Sequence, residues 1–360
     1  MALAAVETST QGGPTPEQVD RYLRSGLRNR WHPLCPSGFV TDKPVGLRRF
    51  GERLVLWRDN AGTVHVQEDR CPHRGAPMSL ARHLGDRLAC WYHGVEVGPD
   101  GTVLAVPGQP GCSMEGSKEV KTYPAQEIKG AIFAWIGDAL NPEPAPYEPP
   151  PQLVDEERFD AILCYAEWQM PWRYLLDNNL DPMHGAFLHA QSHSMARGER
   201  EAKFRTRRTD TGFIFEKVSQ RDVNFDWSEF CDTGAIYARL EIPYPATGGP
   251  GGNFGIIAHA TPIDEATTAC FFWRFRKVAG WQRDVWRFLY RNRLEARHWA
   301  VLEQDRTMLE AFNPEADARE ILYSHDGGVV QLRRALRAEA REQLAALMAA
   351  GKAPPAILAD

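Results

Sequence analysis

Across residues 28–138 the chain alternates between short apolar runs and turn-forming clusters. Leu54-Val-Leu-Trp57 and Thr63-Val-His-Val66 flank Asp59-Asn-Ala-Gly62, a pattern that predicts a β-hairpin. Gly98-Pro-Asp-Gly101 marks another turn, and the unbroken apolar run Ala131-Ile-Phe-Ala-Trp-Ile136 predicts a buried strand. The pattern changes at 141–151, where six prolines exclude a helix or a central strand and leave a stiff, extended connector. Beyond it, helical and strand periodicities are segregated. A helix-like stretch at 171–189 comes first, with strands near 202–219, 235–243, 253–261 and 267–276. A long helical pattern at 281–312 and an Ala/Arg/Glu-rich helix at 329–349 follow. Residues 1–27 read as a loose polar arm with one short helix around 16–25. The expected fold class is α+β, with an all-β domain at 28–140, a Pro-rich linker at 141–153 and an α+β domain at 154–345.

Composition narrows the class. With 43% hydrophobic and 25% charged residues, 360 residues suffice for two domains, each with its own core. A net charge of −5 argues against a nucleic-acid binder. No basic leader and no long apolar run stands at the N-terminus, which points to the cytoplasm. Seven scattered cysteines make a poor disulfide framework, and most read as small buried apolar residues.

Cys71 and Cys90 stand apart because of their neighbours. Cys71-Pro-His73-Arg-Gly75 and Cys90-Trp-Tyr-His93-Gly94 each pair one cysteine with one histidine, and sixteen residues separate His73 from Cys90. Four such ligands suit zinc or an iron–sulfur cluster. A zinc finger usually groups Cys with Cys and His with His, whereas one of each per loop suits a [2Fe–2S] cluster with thiolates on one iron and imidazoles on the other. Neutral imidazoles lower the negative charge of the reduced cluster and raise its potential. Gly75 and Gly94 would let the backbone turn tightly around it.

A second constellation lies in Asn178-Asn-Leu-Asp181-Pro-Met-His184-Gly-Ala-Phe-Leu-His189. On an ideal helix, residues five apart lie about 140° from each other, so His184 and His189 meet one metal only if the helix breaks between them. Gly185 is the expected break. H-x4-H alone is a weak signal, equally compatible with core or surface histidines.

The CPHRG and CWYHG loops resemble those of the Rieske ferredoxin fold, and the 178–189 segment resembles the D-x2-H-x4-H motif of Rieske non-haem iron aromatic ring-hydroxylating oxygenases, α (terminal oxygenase) subunit. The resemblance runs from about residue 31 to about 337. It implies a Rieske domain followed by a helix-grip-like catalytic domain. By it, Cys71 and Cys90 bind one iron of the cluster, and His73 and His93 bind the other. His184 and His189 bind a mononuclear Fe(II), and a carboxylate far downstream completes the set. Asp305 matches that position, with Glu303 and Glu310 as rivals on the same helix. The resemblance also gives Asp181 a bridging role, accepting a hydrogen bond from the neighbouring subunit's cluster-ligand histidine, the counterpart of His93, and orienting a metal-ligand histidine. Asn178 lies near the iron.

The function so implied is a terminal oxygenase that inserts oxygen from O2 into an aromatic or similar small organic substrate, as a ring hydroxylase or dioxygenase. Alternatives are an O- or N-demethylating monooxygenase and, in another class, a non-enzymatic Rieske electron carrier. Electrons would come from NAD(P)H through a separate reductase and perhaps a ferredoxin, because no G-x-G-x-x-G follows a strand here. The glycine-rich 248–252 segment reads as a loop. The resemblance further implies a head-to-tail homotrimer with electron transfer between neighbours. For the substrate pocket, Asn253 and His259 share a strand face by their even separation and are candidate polar contacts. Phe187, Leu188, Ile257, Phe271 and Trp273 are candidate apolar lining. Trp91 and Tyr92 are expected at an exposed tip beside the cluster.

Overall fold

The computed structural model describes residues 13–192, 198, 200–244, 249–250 and 252–354. The first dozen residues of the N-terminal arm, and Gly248 and Gly251 of the glycine-rich segment, lie outside the described residues.

The N-terminal half is built from three small antiparallel sheets. One joins Arg30–Pro36, Ala131–Ile136 and Ala125–Ile128, and another joins Val45–Arg49, Glu52–Arg58, Val64–Glu68 and Thr122–Tyr123. The apolar run at 131–136 is buried along its whole length, as a strand covered on both faces must be. The third sheet consists of two- and three-residue strands, Arg82–His83, Leu88–Ala89, Glu96–Val97 and Val103–Ala105. A separate core of Val55, Trp57, Leu88, Val95 and Val97 holds it and buries Cys71 and Cys90.

The C-terminal half is a seven-stranded antiparallel sheet in the order Phe159–Trp168, Thr268–Lys277, Phe254–Pro262, Ile236–Ile242, Trp227–Asp232, Gly212–Lys217, Phe204–Thr209. The stretch expected as one strand at 202–219 is a hairpin turning at Asp210 and Thr211. Two strands, Phe159–Trp168 and Trp227–Asp232, were not expected. The sheet is covered on both sides. Ile257, Phe271, Trp273 and Phe275 pack against Trp31, Phe133 and Trp135 of the N-terminal half. Phe254, Ala258, Cys270 and Phe272 face the helices, with Trp286, Tyr290, Leu302 and Leu336.

Three helical features position the site. The helix Trp172–Asn179 ends before Asp181-Pro182, and a short helix resumes at His184–Phe187. The chain is interrupted at 180–183, before His184, and the break between His184 and His189 falls where the short helix ends, after Phe187 and not at Gly185. Proline disfavours the helical conformation of the residue before it, and Asp181 Oδ1 accepts the Met183 backbone N–H at 2.9 Å, a local turn that competes with the helix. The long pattern at 281–312 is three segments: α-helix Trp281–Leu289, a π-helical turn Tyr290–Leu294, and α-helix Glu295–Glu310. The helix Gly327–Ala349 packs against the N-terminal helix Pro16–Arg24. No helix among the described residues is long and apolar enough to cross a membrane.

Candidate metal centres and substrate cavity

The two Cys–His loops meet at one end of the N-terminal half. In each, the glycine N–H donates back to the cysteine carbonyl, Gly75 to Cys71 at 2.9 Å and Gly94 to Cys90 at 2.8 Å. Both glycines have positive φ, +76° and +74°, where a β-carbon is disfavoured. The Cys71 and Cys90 side chains are buried and in contact, while the His73 and His93 rings lie 4.8 Å apart on the exposed side. Burial, the main cause, and the adjoining Cys90 push the Cys71 thiol up to about 11. Its ionisation calls for a positive charge at that point, which an iron pair supplies. Two thiols inside and two imidazoles outside thus fit a [2Fe–2S] cluster of mixed ligation. Trp91 and Tyr92, 67% and 61% exposed, flank the imidazoles.

In the C-terminal half His184, His189 and Asp305 converge, each offering one ligand atom, all within 4.8 Å of one another. His184 Nε2 lies 3.6 Å and His189 Nε2 lies 3.1 Å from Asp305 Oδ1. That buried oxygen nevertheless accepts no well-aligned hydrogen bond. The three groups are therefore aimed at a common point more than at each other. The outer nitrogens explain the aim. His184 Nδ1 donates to the Asp181 carbonyl at 2.6 Å, and His189 Nδ1 donates to Gln304 Oε1 at 2.8 Å. Each contact favours the tautomer that leaves Nε2 free as a ligand. Burial lowers the His189 pKa, but Asp305 and Gln304 outweigh it and hold the imidazole above the ordinary histidine range. A divalent cation would replace that proton. Two imidazoles and one carboxylate on one side of a point suit ferrous iron with open positions. The rival acids point elsewhere: Glu303 pairs with Arg306, and Glu310 pairs with Arg306 and accepts the Gln169 backbone N–H.

Beside this cluster lies a cavity of ≈ 530 Å³ between the sheet and the helices. Asn178 lines it, along with the two histidines and Asp305. Asn253 and His259 do not. The even positions of their strand, Phe254 and Ile256, face the cavity, and the odd positions face the N-terminal half. His259 packs its ring among Phe133, Tyr237 and Trp273, and Asn253 bonds weakly to Asp222 and Glu241. The same parity removes Ile257, Phe271 and Trp273 from the lining. Phe187 is 57% exposed and, with Leu188, lines an outer groove. In their place stand Leu240, Ile242 and Phe272 and a polar group that sequence reasoning missed: Tyr244, Arg274, Arg297 and His298. Strand alternation counted from Arg274 and Arg276, two cations inside an apolar run, was the available signal.

The outer groove holds Asp181 together with Asp177, Met308, Phe312 and Leu322. The Asp181 carboxylate is partly exposed and lies 3.8 Å from His184 Nδ1.

Comparison with known proteins gives a consistent answer for both halves. A profile of the Rieske [2Fe-2S] domain matches residues 30–124. A profile of the vanillate O-demethylase oxygenase C-terminal domain matches residues 168–342. The vanillate O-demethylase oxygenase subunit of Pseudomonas sp. (strain HR199 / DSM 7063) is 34% identical over 170 residues, 46% of this chain and 46% of that protein. The phthalate 4,5-dioxygenase oxygenase subunit of Pseudomonas putida is 28% identical over 274 residues, 70% of this chain and 60% of that protein. The chain thus spans about half the length of the curated relatives it matches, somewhat more for the second. In fold, it superposes on the terminal oxygenase of carbazole 1,9a-dioxygenase from Nocardioides aromaticivorans IC177 with a TM-score of 0.72 at 22% identity, covering 91% of this chain and 97% of that one. The chain thus carries a Rieske [2Fe-2S] domain in its first half and a domain of the vanillate O-demethylase oxygenase C-terminal family in its second.

Proposed function

We propose that this protein is a terminal oxygenase that uses O2 and externally supplied electrons to oxygenate an aromatic substrate in the cavity between sheet and helices. The observation that carries the proposal is the convergence of His184, His189 and Asp305 at the wall of a cavity large enough for one to three fused rings. Residues 28–140 form the electron-receiving unit, residues 154–345 form the catalytic unit, and 141–153 joins them. Cys71, His73, Cys90 and His93 hold the [2Fe–2S] cluster, and the 184–189–305 triad holds mononuclear iron. When bound, the cluster relays single electrons and the iron activates O2 beside the substrate. The chain's own residues do the rest. Asp181 and Gln304 hold the two imidazoles in one tautomer, and Phe254, Ile256 and Phe272 present one apolar wall to a planar ring.

Electrons enter at the exposed imidazole edge of the cluster, beside Trp91 and Tyr92, from a reductase or ferredoxin. We infer that they leave across a subunit boundary, with Asp181 of one copy accepting a hydrogen bond from a neighbour's cluster imidazole in a head-to-tail trimer. The partly exposed Asp181 carboxylate and the apolar side chains around it, Phe187, Met308, Phe312 and Leu322, support that reading.

Ring hydroxylation and oxidative demethylation need the same iron and differ in what is placed beside it. The likeness of residues 168–342 to a demethylase oxygenase domain favours testing both. Reduced protein would be mixed with 18O2 and a panel of methoxylated and unmethoxylated aromatics. Substrate-dependent O2 uptake with label in the product, or formaldehyde from the methoxylated members, is expected. A reducible cluster with no substrate-dependent O2 uptake across the panel would leave the electron-carrier reading instead.

A further inference from the structure

The cavity is asymmetric in charge. Among the described residues its lining includes a single carboxylate, Asp305, which belongs to the metal triad. It also includes two guanidinium groups, Arg274 and Arg297. Arg297 is solvent-exposed, but Arg274 is only 1% exposed. Arg274 stands on the strand Thr268–Lys277, on the same face as Phe272, opposite Ile256 and Ile162 in register. Its Nη1 donates to the Tyr290 hydroxyl at 2.7 Å, and its plane lies 5.5 Å from the Trp299 ring. Among the described residues no carboxylate reaches it. A guanidinium taken out of water without an anion is costly, by several kcal/mol even after relaxation.

A second orphan lies beside it. His298, 8% exposed, shares a hydrogen bond with the Tyr244 hydroxyl through Nε2 at 3.0 Å, while its buried Nδ1 has no partner among the described residues. Burial, and after it Arg274, Arg276 and Arg297, hold His298 down to about 3. The imidazole is therefore neutral, and the field around it is positive. Iron at the triad adds further positive charge to the same space.

Resting on the oxygenase reading above, we propose that the substrate is an aromatic acid whose carboxylate seats against Arg274, with His298 beside it as a neutral hydrogen-bonding partner. The ring then lies along Phe254 and Phe272, between the sheet-borne cation and the helix-borne metal triad. A carboxylate supplies the anion that Arg274 lacks and fixes which end of the molecule faces the iron. Arg274 is thus a specificity-determining residue, distinct from the ligands that carry the chemistry.

The test uses iron-loaded full-length protein and three matched pairs: benzoate and benzamide, 4-methoxybenzoate and its amide, 2-naphthoate and its amide. Dissociation constants are measured by calorimetry for wild type, Arg274→Met and Arg274→Lys. In wild type the acids should bind at least about tenfold more tightly than their amides, the lower end expected for a desolvated charge-assisted pair. In Arg274→Met that ratio should fall toward one, and Arg274→Lys, which restores the charge, should recover part of it. Amides binding wild type as well as acids, or no acid of the three binding, overturns the proposal. So does an acid preference that survives Arg274→Met, which would place the anion on Arg297 or on the iron. Iron content and cluster absorbance of the same samples report on the oxygenase reading separately. They also show that the variants are folded.

Discussion

At the residue scale the site is a set of imidazoles held from behind. The Gln304 contact to His189 Nδ1 is a side-chain contact, so it can be removed without touching a proposed ligand. Outer contacts of this kind commonly change metal affinity by about 10–100-fold. Gln304→Ala should accordingly weaken ferrous iron binding by about that factor, read by chelator competition, and leave the cluster spectrum unchanged. Unchanged affinity would mean that packing alone orients His189. The ligand residues were legible as local motifs because each motif packs several chemistry-bearing residues into a short run. The substrate contacts were not. Asn253 and His259 were chosen by even spacing, which fixes that two residues share a face but leaves open which face is the cavity. Only the packing of the sheet resolves that, because the face with Ile257 and Trp273 is covered by Phe133 and Trp135 of the N-terminal half.

At the element scale, the breaks in the helices do the positioning. Asp181-Pro182 separates the helix that lines the cavity from the one that carries His184, and the π-turn at Tyr290–Leu294 adds a residue to the long helix. Such turns shift the register downstream, here setting His298, Leu302, Asp305 and Leu309 on the buried side of the last segment. Inserting one alanine after Ala296, inside the regular α-helical segment, should turn the rest of that segment by about 100° relative to the first. Loss of mononuclear iron with the cluster retained is the expected outcome, scored by iron analysis and visible absorbance. Full iron retention would show that Asp305 is placed by its own packing. A sequence reading finds the long helix and misses the turn, because apolar spacing tolerates one inserted residue. The strand Trp227–Asp232 was missed for a different reason. It carries a buried Glu229 that pairs across the sheet with Arg239 at 2.7 Å, so its apolar pattern is broken where its structure is not.

At the scale of the whole molecule, the seven-stranded sheet joins the two halves through one apolar face, and buried histidines stand on both sides of that junction, His259 on the sheet and His32 on the N-terminal half. Burial holds both His259 and His32 down to about 3. Both are neutral when folded, and both take up a proton on unfolding below the ordinary histidine value of about 6.5. Their contribution to stability is therefore complete above about pH 6.5 and is lost progressively as pH falls toward 3. Melting temperature should drop across that window, and His259→Leu should flatten the drop while leaving the metal content of the protein intact. An equal pH dependence in the variant would contradict the placement of His259 in the interface.

Communication between the halves belongs to this scale as well. Asp181→Asn should keep both metals but slow reoxidation of the reduced cluster by O2 and substrate, followed by stopped-flow absorbance. A normal rate would remove Asp181 from the electron path.

The central claim is that two unlike iron sites share this chain, and iron stoichiometry tests it most directly. After anaerobic reconstitution with ferrous iron and sulfide, wild type should hold about three irons per chain, two of them in a cluster with mixed Cys/His ligation by EPR. His184→Ala should stop at about two with the cluster signal unchanged. A wild-type protein that itself stops at two, or a His184→Ala variant that keeps the third, would contradict the account.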